Sequence, residues 1–308
     1  MRSAAVKVSA ARVAPALALV LNAFVWGVSW WPFRQLQGHG LHPLWATALV
    51  YLLAITVITL WRPRSWRELC RTPALWGLVL AAGTTNAAFN WGVTIGDVVR
   101  VVLLFYLMPL WSVVLARLLL GEHFSGLAGV RVLLALAGAA IVLWPPAGVS
   151  AWSPSLADGL GVLGGFTFAL NNVLLRREAH QPEGARALAM FVGGSAVSAL
   201  LATVMASRGA VPWPPTVAPA WLGVAAVLAL MFLLGNLALQ YGAARLRAGV
   251  TAVLLVTEVL FASTSALLLG AGEASWPLAI GGSLIVAAAL LASLSAAPDA
   301  AARRALAS

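Results

Sequence analysis

Ten stretches of 17 or more largely apolar residues run through this chain, and they leave few choices of fold. They fall near 14–33, 42–61, 74–93, 99–118, 126–144, 157–175, 187–206, 219–240, 248–269 and 276–294. A bilayer core needs about 20 such residues at a rise of roughly 1.5 Å each, so every run is long enough to cross it as a helix. In hydrocarbon each backbone N–H and C=O must be paired within the protein, which restricts spanning segments to helices and closed barrels. Barrel strands would read as segments of about ten alternating residues, a pattern the long continuous runs do not follow. The expectation is an all-α polytopic membrane protein with ten transmembrane helices. With 62% hydrophobic and only 9% charged residues among 308, an ordinary soluble domain and a disordered chain are both excluded.

The net charge of +10 would suggest nucleic acid in a soluble protein, but membrane topology absorbs it. With the N-terminus inside, all of the 19 Lys and Arg except Arg34, Arg100 and Arg208 fall on the cytoplasmic side or its border. That bias orients the chain with both termini in the cytoplasm, its arginines anchoring loops at the headgroups. No nucleic-acid partner is expected. The apolar run from Ala14 continues to about Phe33 and further spans follow, so it reads as a first transmembrane helix rather than a cleaved signal. A single cysteine, Cys70, excludes an intramolecular disulfide and any cysteine-based metal cluster. The histidines, His39, His42, His123 and His180, lack ligand spacing. No metal and no cofactor are expected.

The two halves of the chain echo each other. LLFYLMPLWSVVLARLLLGE, Leu103 to Glu122, parallels LLVTEVLFASTSALLLGAGE, Leu254 to Glu273, at an offset of 151 residues. AFVWGVSWWPFR, ending at Arg34, parallels GFTFALNNVLLR, ending at Arg176, and AGAAIV at Ala137 parallels GGSLIV at Gly281. Corresponding spans are five apart, an odd number, so the halves cross in opposite senses. This defines two five-helix inverted repeats, residues 14–148 and 149–294, between a cytoplasmic N-terminus, 1–13, and a cytoplasmic tail, 295–308. Inverted repeats suit alternating access.

The run FNWGVTIGDVVRVVLLFYLMPLWSVVLARLLLGE, Phe89 to Glu122, and its second-half counterpart from Val256 resemble the paired signatures of EamA-type transporters of the drug/metabolite transporter superfamily. Pro109 and the Gly121-Glu122 end of span four follow the family's spacing from proline to Gly-Glu. Leu260 stands where the repeat would place the second proline, which removes the proline basis for a kink in span nine. The resemblance implies a ten-helix exporter in a bacterial inner membrane. Its central cavity would be lined mainly by spans three, four, eight and nine, with spans one and six gating it.

Glu258 is the costliest residue in the chain, a carboxylate near the middle of the uncharged run Ala248 to Leu269. A charge at the bilayer centre costs about 2.5–3.5 kcal/mol on insertion scales, and such residues usually face a bundle interior or a wet cavity. Removal from water favours the neutral form of a carboxyl, which suits Glu258 to bind and release a proton. A structural hydrogen bond to a neighbouring helix is the competing reading. Asn86 and Asn90 on span three lie four apart on one face, as do Asn236 and Gln240 on span eight. Such pairs are either cavity lining or an interhelical seam. Pro109, midway along span four, removes a donor and frees the carbonyl of Phe105. Tyr106 one turn earlier offers a hydroxyl, and Trp111 an aromatic wall. Trp26 on span one and Asn171 on span six complete the candidates. Glu122, Glu273 and the Asp97–Arg100 pair sit at membrane interfaces, where structural roles are expected.

No G-x-x-x-x-G-K-[ST] loop occurs and the only lysine is Lys7, which excludes pumping by a phosphate loop in this chain. No constellation for intramembrane enzymology is recognisable, so an enzyme is not expected. The leading reading is a secondary transporter exporting small polar metabolites such as amino acids, with the bilayer and protons as further partners. Efflux of hydrophobic or cationic compounds is the alternative, and a structural or sensor bundle the reading from another class. Small residues at Gly138, Gly281 and Gly282 fit either internal packing or a homodimer face.

Overall fold

In a computed structural model of the chain, residues 2–95, 101, 104–122, 126–142, 155–216, 219–269 and 276–294 are described. They form helices α1 (Arg2–Gly38), α2 (Pro43–Trp61), α3 (Arg64–Arg71), α4 (Pro73–Ile95), α5 (Met108–Leu120) and α6 (Gly126–Val142). The second half supplies α7 (Leu156–Arg177), α8 (Glu183–Ser207), α9 (Pro219–Ala243), α10 (Ala248–Leu255), α11 (Glu258–Leu268) and α12 (Trp276–Leu294). No strand occurs among the described residues. Among the described residues, five helices are long and apolar enough to cross a membrane: Val13–Gly38 within α1, α2, α7, α8 and Trp221–Ala243 within α9. Met108–Leu120, Gly126–Ile141, Val250–Ser265 and Ala279–Ala288 are shorter apolar helices.

Local signals set the helix ends. Pro43 occupies the first position of α2, where its missing N–H costs nothing, and the His42 ring accepts from the Leu44 N–H at 3.3 Å. Ser155 and Asp158 form a capping box on α7, with bonds of 2.7 and 3.2 Å satisfying two donors that the first turn leaves free. Ser155→Ala is expected to lower stability by about 1 kcal/mol, seen as an earlier melt in detergent. Gly121 ends α5 at φ 67°, a left-handed conformation that favours glycine.

Two helical stretches lie outside the expected spans. α1 runs as helix from Arg2, through the segment expected to precede the first span. Between α2 and α4 the expected loop contains α3, whose Ser65 and Leu69 lie four apart and bury one face while its arginines stay exposed.

Around the molecule, large apolar side chains point outward, among them Leu60, Leu118, Leu133, Leu200 and Leu268. In water such a surface would aggregate; against lipid tails it is the expected exterior. Inside, α4 packs along both α7 and α8, α1 along α9, α2 along α8, and α6 along α12. Close approach depends on bare backbone. A Cβ at Gly193 of α8 would fall 2.0 Å from the Val79 carbonyl oxygen of α4. Two arginines read as headgroup anchors are instead buried: Arg186 is 2% exposed and Arg131 5%. Arg186 lies in the first turn of α8, where its Nη1 donates to the Leu175 carbonyl at 3.4 Å.

Candidate functional site

Two helices are interrupted near the centre of the bundle. Before α5, Leu107 N–H bonds back three residues to Leu104, and Leu110 likewise to Leu107. Between α10 and α11, Thr257 N–H bonds to Leu254, Val259 to Val256 and Leu260 to Thr257, again three residues back. These tight turns reset the helical ladder. The second break needs no proline. The Thr257 hydroxyl donates to the Leu254 carbonyl at 2.7 Å, taking an acceptor out of the α-helical ladder. Span nine is therefore interrupted at this position although no proline stands there. Pro109 stands at the second position of α5, where an N–H would be unpaired anyway. The Phe105 carbonyl just before it presses on Gly165 of α7, where a Cβ would fall 2.4 Å from the oxygen. Gly27 of α1 meets the Glu258 carbonyl in the same manner, at 2.8 Å.

The breaks carry the chemistry. Glu258 opens α11, at the positive end of that helix, which favours a carboxylate. Its side chain pairs with the hydroxyl of Tyr106, a buried residue at the other break. Glu258 also reaches a central cavity, whose polar wall comprises Asn22, Thr85, Asn86, Asn171 and Asn236. Seven aromatic rings complete much of the rest: Trp26, Tyr51, Phe89, Phe105, Phe168, Phe191 and Phe232. The cavity volume is about 50 Å³, room for roughly three to five waters at about 10–15 Å³ each.

Most of the polar wall is held in place by hydrogen bonds. The Asn22 amide donates to the Gly235 carbonyl at 2.9 Å, tying α1 to α9. Tyr51 Oη donates to Asn86 Oδ1 at 2.8 Å, and Asn86 Nδ2 to the Ala82 carbonyl at 2.8 Å. The Thr85 and Thr167 hydroxyls join α4 to α7 at 3.0 Å. Asn236 Nδ2 sits 3.3 Å from Met190 Sδ. Asn171 is the exception: it is 1% exposed and its Oδ1 has no partner within the protein. Tyr51→Phe leaves Asn86 Oδ1 without its donor and is expected to cost about 1–2 kcal/mol, read from thermal unfolding in detergent.

Of the residues singled out from sequence, Glu258, Asn86, Asn171, Asn236 and Trp26 lie together on this wall, and Tyr106 touches it through Glu258. Asn90, Pro109 and Gln240 do not line it. Asn90 donates to the Thr47 hydroxyl of α2. Gln240 turns to the first turn of α8, its amide 3.1 Å from Ala187 N and 3.2 Å from the Glu183 carbonyl oxygen. Glu122, expected at an interface in a structural role, forms an ion pair with Arg176 of α7 at 3.0 Å. Glu273, Asp97 and Arg100 fall outside the described residues. Sequence reasoning missed Tyr51 on α2 and Met190 and Phe191 on α8, two helices not expected to line the cavity. They reach it because Gly193 and Gly194 let α8 approach; a Cβ at Gly194 would fall 2.1 Å from the Tyr51 ring. Among the described residues no group of three or more His, Cys, Asp or Glu could hold a metal.

Among the described residues, a helical bundle with a lipid-compatible exterior, a polar cavity at two interrupted helices and one carboxylate at their meeting point is the architecture of a multi-pass membrane protein. Residues 14–144 match the EamA-like transporter family. That family is part of the drug/metabolite transporter superfamily, and the likeness spans the first half of the chain. No curated protein matches the chain. A solved crystal structure, described only as that of a protein, is similar to it at a TM-score of 0.75 and 21% identity, covering 96% of this chain and 99% of that one. That likeness concerns the fold alone.

Proposed function

We propose that this protein is a secondary-active exporter of small polar metabolites such as amino acids, working by alternating access, with Glu258 as the group that exchanges a proton for solute. The observation that carries the reading is the meeting of Glu258 and Tyr106 at two helix breaks beside a polar cavity. An intramembrane carboxylate in contact with a cavity is the arrangement that ion-coupled transport needs.

The membrane architecture we infer is ten spans, α5 and its preceding turn forming the fourth and α10 with α11 the ninth. The first five spans would repeat as the last five in inverted orientation, in a bacterial inner membrane with both termini cytoplasmic. Helix partnerships support this, because exchanging the halves maps one set onto the other. α1 on α9 corresponds to α7 on α4, α2 on α9 to α8 on α4, and α1 on α11 to α7 on α5. Two rigid halves related in this way can open alternately to either side.

A second reading, efflux of hydrophobic or cationic compounds, is favoured by the seven aromatic rings around one carboxylate, since the rings offer apolar surface and their faces attract cations. Overproducing cells, preloaded with labelled amino acids in one arm and with a cationic dye in the other, separate the two. Faster loss of amino acids than in empty-vector cells is the expected result. Accelerated loss of dye alone would replace the first reading by the second, and loss of neither would overturn transport of both classes.

A further inference from the structure

Hydroxyls inside apolar helices usually bond back to the carbonyl one turn earlier. In this chain Thr47, Thr56, Thr59, Thr85, Thr203 and Ser283 do so. Ser112 and Thr251 do not: both are fully buried, and neither hydroxyl has a hydrogen-bond partner within the protein. Asn172, 1% exposed, has both ends of its amide unpaired. These three come from α5, α10 and α7, helices that pack against one another.

Fixed contacts put them at one level. α5 and α7 lie side by side between the Phe105–Gly165 contact and the Glu122–Arg176 pair. Ser112 and Asn172 each lie seven residues beyond that first contact, a rise of roughly 10 Å. Thr251 precedes Glu258 by seven residues, again roughly 10 Å. The start of α10 is anchored at the same end, because Arg247 lies close enough to Arg131 of α6 for the two guanidinium groups to repel. Asn171, beside Asn172 in the chain, lines the central cavity with its own unpaired oxygen.

Buried polar atoms left unpaired by protein are ordinarily paired with water. We propose that Ser112, Asn172 and Thr251 bind water in a narrow conduit that leads from the Glu258 cavity to the end of the bundle carrying Glu122 and Arg176. As a route by which Glu258 exchanges protons, the conduit rests on the coupling role proposed above; the binding of water does not.

The test uses the full chain in proteoliposomes. In a Cys70→Ser background, Ser112→Cys, Thr251→Cys and the control Val253→Cys, 1% exposed on the same helix, are treated with 2-aminoethyl methanethiosulfonate. Thiols at the first two positions should react at least about tenfold faster than the control, a ratio worth roughly 1.4 kcal/mol. Equal rates would overturn the conduit. Should either variant misfold, radiolytic footprinting of the unmodified protein decides. Met108, fully buried one turn from Ser112, should be oxidised if water lies alongside and protected if the interface is dry. Neither readout involves transport, so a failure of the Glu258 coupling role leaves them unchanged, and their failure leaves that role standing.

Discussion

Replacing Glu258 by glutamine is expected to abolish transport driven by a pH gradient while leaving the fold intact. The amide keeps the size and hydrogen-bonding capacity of the carboxyl, so Tyr106 retains a partner and the first turn of α11 its packing. What disappears is the ability to bind and release a proton. In proteoliposomes with an imposed pH difference, solute accumulation should fall by on the order of tenfold or more, the factor that 1.4 kcal/mol of lost coupling represents. Exchange of labelled for unlabelled solute across the same membrane, which needs no net proton movement, should persist. Full pH-driven accumulation by Glu258→Gln would end the coupling role and return the residue to structural service.

The second large effect concerns the seam between α4 and α8. Gly193→Ala puts a methyl group 2.0 Å from the Val79 carbonyl oxygen, a backbone atom that cannot swing aside. Overpacking usually costs about 1–3 kcal/mol. Here two helix backbones must separate, and the expected loss is at the upper end, about 3 kcal/mol or more. Because the same approach brings Phe191 and Tyr51 to the cavity, the variant should also widen the site. Gly223→Ala on α9, where an added Cβ meets nothing within 4 Å, is the matched control. It should be neutral or stabilising by about 0.5–1 kcal/mol, the ordinary helical advantage of alanine. Equal melting temperatures for the two variants would show that the seam tolerates expansion.

Some of this site could be read from the chain alone. A carboxylate or amide in an apolar run stands out by its cost, which is why Glu258, Asn86, Asn171 and Asn236 were legible. Tyr51, Phe191 and Phe232 were not, because an aromatic ring is equally at home against lipid, in a helix seam or on a cavity wall. The break before Glu258 was hidden for a different reason. It depends on a threonine hydroxyl bonding its own helix, and Thr47 or Thr59 makes a comparable bond without any break. The buried Arg131 and Arg186 show the limit of charge counting. A bias in loop arginines orients a chain, but does not say which of them face lipid headgroups and which are drawn into the bundle. The exchange symmetry of helix partners is pairwise information that weak sequence echoes only hint at.

The small volume of the central cavity bears on how binding measurements are to be read. At about 50 Å³ it has fewer positions for water than any amino acid larger than glycine has heavy atoms, so a solute of the proposed class must enter a more open form of the protein. Apparent affinity then equals the intrinsic affinity reduced by the fraction of molecules in that open form. A substitution that loosens the bundle will thus tighten apparent binding without touching the solute. Affinity alone is a poor guide to which residues on the wall make contact, and variants are better ranked by the ratio of their affinities for two competing solutes, from which the opening equilibrium cancels when both enter the same open form.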